Sequence, residues 1–216
     1  MDIIIVAPMN QIPPVALVFS SRQTDGVCVV EDLDTPSDTR THKTAAYLLG
    51  PYDLEHEKVV YDAYKMSFVY RQNPGYKWFT FTLGYHQYDT ECLLFLVHKA
   101  TLGLEWIFFS THSKAEGHWR KPGQCHYDHS GRLLAYVSPT SHAMYPDPGT
   151  HYRLYGLAND RTEENGILWY VPAIVMVPMN EPKDRRSHYN QPLFPPNKTI
   201  SSLDRFFGLS KVQKYL

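Results

Sequence analysis

Between Lys77 and Val177 short apolar or aromatic runs are interspersed with turn-forming residues. The runs are Lys77 to Leu83, Glu91 to His98, Glu105 to His112, Leu133 to Val137, Tyr152 to Leu157 and Ile167 to Val177. Pro122-Gly123, Ser130-Gly131, Asp147-Pro148-Gly149 and Asn165-Gly166 stand between them. Most of these runs are too short for amphipathic helices, and their aromatic and β-branched residues suit a pleated, half-buried surface. Strands at this spacing predict an all-β fold, an antiparallel β-sandwich with a few short peripheral helices. Glu91 to His98 is apolar at nearly every position, as a strand buried on both faces would be.

The first half is less regular. Val15 to Phe19 and Val27 to Val30 read as strands split by a polar turn, and Asp32 to Thr44 as a loop. Ala45 to Gly50 fits strand or helix. Leu54 to Tyr64 carries the best helical spacing in this half, through Leu54, Val59 and Ala63, against the β-branched and aromatic Val59-Val60-Tyr61. From about residue 178 a polar, Pro-rich tail follows, and Ser201 or Ser202 is placed to cap a short helix. No internal repeat or composition shift divides the chain, so residues 1–216 are expected to form one domain with that tail.

A chain of 216 residues buries about 70% of its unfolded surface, enough to stay folded without disulfide or metal. The formal charge is −1, from 21 basic and 22 acidic residues. No global field draws nucleic acid or anionic lipid, and Lys183-Asp184-Arg185-Arg186 reads as a solvated loop. Three cysteines without a CxxC pair fit a reducing compartment. The start, Met1-Asp2-Ile3-Ile4-Ile5-Val6, lacks the basic n-region of a signal peptide, and no stretch is apolar enough to span a membrane. The expected location is cytoplasmic or within an assembled particle.

Six of the 11 histidines fall between His112 and His151. The sharper feature is Gly84-Tyr85-His86-Gln87-Tyr88-Asp89-Thr90-Glu91-Cys92, running into an apolar strand. If that strand begins at Asp89, Asp89 and Glu91 share a face by the period of two, and His86 approaches from the turn. Two carboxylates and an imidazole suit one divalent cation, with His112, at the end of the next strand, as a further ligand. The same residues equally suit a hydrogen-bonded strand entrance, and both readings stay open. Nucleophile-elbow, Walker and dinucleotide motifs are absent. Cys92 beside His112 reads as a buried, inert thiol more readily than as a nucleophile.

The segment from Gly84 to Glu91 resembles the Gly-x-His-x-Gly-Asp-Trp-Glu segment of the vacuolar protein sorting-associated protein 62 family. It is also similar, at His86, Asp89 and Glu91, to the Gly-His-Arg-His-Asp-Trp-Glu heptad of necrosis- and ethylene-inducing toxins. Three further blocks resemble the first family in the same order. They are Phe109-Ser110-Thr111-His112-Ser113 with Gly117-His118-Trp119, then Ser141 to Gly149 around His142-Ala143-Met144-Tyr145-Pro146, then Gly156-Leu157-Ala158-Asn159-Asp160-Arg161-Thr162. Tyr88, Thr90 and Cys92 stand where that family has Gly, Trp and His. The resemblance implies a metal centre and places His142 near His86 and His112, so the implied ligand set is His86, Asp89, Glu91, His112 and His142.

Three functions follow as expectations. The first is a non-enzymatic structural or interaction protein whose partners are other protein subunits, for instance a minor capsid or coat component. The second is a metal-assisted hydrolase at the His/Asp/Glu site. The third is a membrane- or glycan-binding module, by analogy with the toxin heptad.

Overall fold

The computed structural model describes residues 11–21, 45–56, 59–73, 75–78, 81–83, 86–112, 117–153, 159–171 and 173–177. It is all-β, as the alternation predicted. Its strands are β1 (Val15–Phe19), β2 (Ala45–His56), β3 (Val59–Asn73), β4 (Tyr76–Trp78), β5 (Phe81–Leu83), β6 (His86–His98) and β7 (Leu104–Phe109). They continue as β8 (His118–Arg120), β9 (Leu133–Val137), β10 (Met144–Tyr145), β11 (Gly149–His151), β12 (Asp160–Thr162), β13 (Ile167–Tyr170) and β14 (Ala173–Val177). A 3-10 turn at Pro122–Gln124 is the one helical element among the described residues.

Two main sheets form, a six-stranded one ordered β14-β2-β3-β6-β7-β8 and a four-stranded one ordered β10-β9-β1-β13. Two-stranded ribbons pair β4 with β5 and β11 with β12. The pairings are antiparallel except β1 with β9 and β14 with β2, which are parallel. Both parallel strands come from distant sequence, since adjacent parallel strands need a crossover.

The two main sheets share one core. Leu17 and Phe19 of β1, with Leu133, Ala135 and Val137 of β9, meet Tyr64, Met66, Phe68 and Tyr70 of β3. Leu93, Phe95 and Val97 of β6 and Ile107 and Phe109 of β7 complete it. The alternate residues of the large sheet, Tyr61, Ala63, Cys92, Leu94, Leu96, Trp106 and Phe108, form a second cluster on its other side. β6 is therefore buried on both faces, as its continuous apolar run predicted.

The helix expected over Leu54 to Tyr64 does not form; that stretch spans the end of β2 and the start of β3. From Tyr61 onward β3 alternates strictly, Tyr61 and Ala63 to one cluster and Tyr64, Met66, Phe68 and Tyr70 to the other. That period of two, reinforced by pairing along β6, overrides the helical spacing. The run Ile167 to Val177 is two strands in different sheets, β13 beside β1 and β14 beside β2. Tyr152 and Arg153, expected to open a strand, lie outside any. The expected strand Val27 to Val30, the loop 32–44, the tail from about 178 and the helix near Ser201 lie outside the described residues.

Candidate functional site

Among the described residues, a group of buried polar side chains from β10, β12 and the loops after β7 and β9 gathers around Asp160. This residue opens β12, and its side chain is fully buried. Its Oδ1 accepts hydrogen bonds from the Ser138 hydroxyl at 2.8 Å and the Ser141 hydroxyl at 2.7 Å. Its Oδ2 accepts from the Tyr145 hydroxyl at 2.7 Å and pairs closely with His112 Nε2. A carboxylate has about four lone-pair sites, so four donors can satisfy it and make a buried anion tolerable. All four come from the loops that follow β7 and β9 and from β10, which the carboxylate thereby ties together.

The Ser138 to Tyr145 segment is shaped for this. His142 N donates to Ser138 O and Ser138 N to Ala143 O, closing a tight turn. His142 takes a positive φ of 56°, uncommon for a residue with a side chain. Its ring is fully buried and stacks on Tyr70 at 3.9 Å with 2° between the planes.

A second polar chain runs along β6. Glu91, buried, accepts from the Ser110 hydroxyl, and that hydroxyl accepts from Cys92 N at 2.7 Å. The Ser110 carbonyl accepts from Met144 N, joining this chain to the Asp160 turn. On the other side of the sheet Lys65 is buried, and desolvation holds its amine below the ordinary range despite Cys92 and Glu91 nearby. Burial pushes the Cys92 thiol up, with Lys65 opposing, so the thiolate is disfavoured. The Cys125 thiol is likewise pushed up by burial, to about 11. Neither thiol has the low pKa of a reactive cysteine.

Outside Asp160 lies an aromatic stack. His151 lies against the Tyr145 ring at 3.5 Å, nearly parallel at 8°, and His118 approaches Tyr145 at 5.4 Å. His151 Nε2 contacts the Thr162 hydroxyl at 3.1 Å. Burial holds this imidazole below 6.5, opposed by the charges of Asp160 and Asp147. Asp147 itself binds Arg120 at 3.0 Å and His126 at 3.2 Å.

The expected ligand set falls in this region as follows. β6 begins at His86, so His86 is a strand residue opposite Asn73 and not part of a turn. Asp89 sits opposite Tyr70; the side chains of His86 and Asp89 lie outside the described residues. Glu91 binds Ser110, and His112, three residues beyond the end of β7, binds Asp160. His142 packs on Tyr70, the pairing partner of Asp89. Asn73, the partner of His86, donates to the Ser141 carbonyl at 3.5 Å. The five positions therefore belong to one neighbourhood. Among the described residues no group of three His, Cys, Asp or Glu side chains is arranged to hold a metal ion.

Asp160 was absent from the expected set. The sequence signal that contains it is the block Gly156 to Thr162, and its partners come from the two preceding blocks: His112 from one, Ser141 and Tyr145 from the other. Ser138, the remaining donor, belongs to none.

No family model matches the chain, and no curated protein matches it. Among solved structures it is similar to the crystal structure of Necrosis and Ethylene inducing Protein 2 from the causal agent of cocoa's witches' broom disease. That similarity covers 98% of this chain and 96% of the other at 13% identity, with a TM-score of 0.44. A likeness at this level assigns neither family nor function.

Proposed function

We propose that this protein is a non-enzymatic structural or interaction protein that docks to other protein subunits through the edge of β13. The observation that carries the reading is the composition of that edge. β13 is the terminal strand of its sheet among the described residues. Ile167 is 60% exposed, Leu168 41% and Tyr170 44%, and Ile167-Leu168-Trp169-Tyr170 holds no charge and no proline. Edge strands that are not binding sites are normally kept very short, covered, or blunted by charge, proline or a bulge; β13 is four residues long and carries no charge, proline or bulge. The pairing of β13 with β1 runs through four consecutive residues without a register shift, so no bulge interrupts it. An extended, uncharged, apolar segment of a partner adds to such an edge through main-chain hydrogen bonds. The polar residues of the Asp160 cluster support the same reading, because their hydroxyls donate to a buried carboxylate and fasten loops together. The test is a photo-crosslinking amino acid at Leu168, with the same group at exposed Arg161 as control. A discrete adduct to an uncharged, extended protein segment at Leu168 alone supports docking at this edge. Equal adducts at both sites, or none at Leu168, would overturn it.

A metal-assisted hydrolase is the second reading, favoured by one observation. His112 is held through one ring nitrogen by Asp160, the second-layer arrangement that metal-binding histidines adopt. His86, Asp89, Glu91 and His142 would be the other ligands of one divalent cation, which would supply an activated water. Against it, the Glu91 carboxylate is engaged by Ser110 and the His142 ring packs on Tyr70. The membrane- or glycan-binding alternative has no specific observation in its favour; no helix among the described residues is long and apolar enough to cross a membrane.

A further inference from the structure

We infer that β11 is an acid-released strap: when His151 takes up a proton, the strand swings about Gly149 off the ring of Tyr145 while its root at Asp147 stays pinned. The inference is independent of docking at β13.

The strand is lightly attached. Among the described residues β11 pairs only with β12, and its Gly149 and Thr150 are exposed. Its closest ring contact with the sandwich is the His151 imidazole, stacked on Tyr145 at 3.5 Å, and the Tyr145 side chain beneath is buried. The root is held separately, by Arg120 at 3.0 Å and His126 at 3.2 Å from the Asp147 carboxylate. Between root and ring stands Gly149 at φ 130°, a conformation open essentially to glycine alone, and a Cβ there would meet nothing within 4 Å. A dihedral change at such a residue can move the strand without a collision and without breaking the clamp on Asp147.

The contacts of His151 suit a neutral ring. The Thr162 hydroxyl accepts from Gly149 N at 3.0 Å, and its one proton has three acceptors in reach. They are His151 Nε2 at 3.1 Å, the Asp147 carbonyl at 3.3 Å and the Gly149 carbonyl at 3.5 Å. The nearest is the imidazole, which accepts only while uncharged. A proton on Nε2 turns that acceptor into a donor aimed at the hydroxyl and places charge on a ring packed against Tyr145. Four titratable groups face the ring: Tyr145 of β10, His118 of β8 with its centroid at 6.4 Å, Asp160 of β12, and Asp147. The two carboxylates and the Asp147 carbonyl favour the charged ring, and loss of water disfavours it more strongly. Asp160 already serves His112 and three hydroxyls, and Asp147 serves Arg120 and His126, so neither is free to hold an imidazolium. The proton therefore favours the released strand, and a charged His126 only tightens the root.

The experiment is amide hydrogen exchange of the full chain at about pH 7.5 and about pH 5.5, corrected for the intrinsic pH dependence of exchange. Wild type is compared with His151→Phe, which keeps an aromatic ring on Tyr145 and cannot charge, and circular dichroism checks that the variant is folded. In the wild type, protection over residues 149–153 should fall several-fold at the lower pH, to a ceiling of about tenfold set by a released imidazole near its ordinary value. Protection of β6 should hold, and a folded His151→Phe should give the same protection over 149–153 at both pH values. Wild-type protection that is unchanged over 149–153 would overturn the strap. An equal loss in β6 would do so as well, by making the event global unfolding. So would a folded His151→Phe that opens in acid as the wild type does, because the trigger then lies elsewhere.

Discussion

The Tyr145 hydroxyl donates to the buried Asp160 carboxylate at 2.7 Å while the face of its ring stacks on His151 at 3.5 Å. One side chain of β10 thus holds both strands of the β11–β12 ribbon, His151 of β11 and Asp160 of β12. Removing either end of that coupling has calculable consequences.

Asp160→Ala leaves the Ser138, Ser141 and Tyr145 hydroxyls and His112 without their shared acceptor. The expected loss is about 3–5 kcal/mol, the cost of breaking a buried charged network by deleting one member. Tyr145→Phe removes one hydrogen bond to a charged group and should cost about 1.5–3 kcal/mol. Urea denaturation measures both. An Asp160→Ala chain within error of wild type would show that the cluster does not hold the loops.

Acid should weaken the fold through His151. Burial holds its folded pKa below 6.5, so the unfolded chain takes up the proton first as pH falls. Stability from this group is complete above the unfolded pKa and declines from about 6.5 downward until the folded value is passed. The melting temperature followed against pH should therefore fall in that window for wild type and less steeply for His151→Gln. Asp128, held below 3.8 by backbone amides of Arg132 and Ser130 and by the Arg132 side chain, loses its contribution only in stronger acid. Identical slopes for the two chains would remove His151 from the account.

Gly166 precedes β13, and a Cβ there would meet the Phe19 carbonyl oxygen at 2.3 Å. Backbone cannot swing aside as a side-chain tip can. Gly166→Ala should cost about 1–3 kcal/mol through forced backbone displacement. Gly123→Ala, where a Cβ meets nothing within 4 Å, is the matched control and should be close to neutral. Equal midpoints in thermal melts of the two variants would contradict the close approach.

Phe95 lies at the centre of the shared core and is fully buried. Phe95→Ala should destabilise by about 3–5 kcal/mol, the transfer and cavity cost of a buried aromatic. Val60→Ala, at a position 37% exposed, should cost under about 1 kcal/mol. Denaturant midpoints distinguish the two.

Elemental analysis of the wild type beside Asp89→Ala/Glu91→Ala decides the second functional reading. Stoichiometric divalent metal in the wild type, lost in the variant, would move the hydrolase ahead of docking. The docking reading expects metal in neither.

What the sequence determined by itself was the all-β class and several of the strands. Val15–Phe19 and Leu133–Val137 have the bounds their apolar runs marked, and β6 is buried on both faces as its composition required. These properties follow from local alternation and from the residue types that tolerate a pleat, and both are written along the chain. Tertiary structure alone decided the rest. The Leu54 to Tyr64 stretch became strand because β3 gains its pairing from β6, more than twenty residues away. The run from Ile167 to Val177 was divided between two sheets by partners at β1 and β2. The polar centre was the least legible part. Asp160 draws on donors 15 to 48 residues distant, and a carboxylate's value depends on which donors reach it after burial. No local spacing encodes that arrangement, because hydroxyls and carboxylates become a site only when the sheets have closed around them.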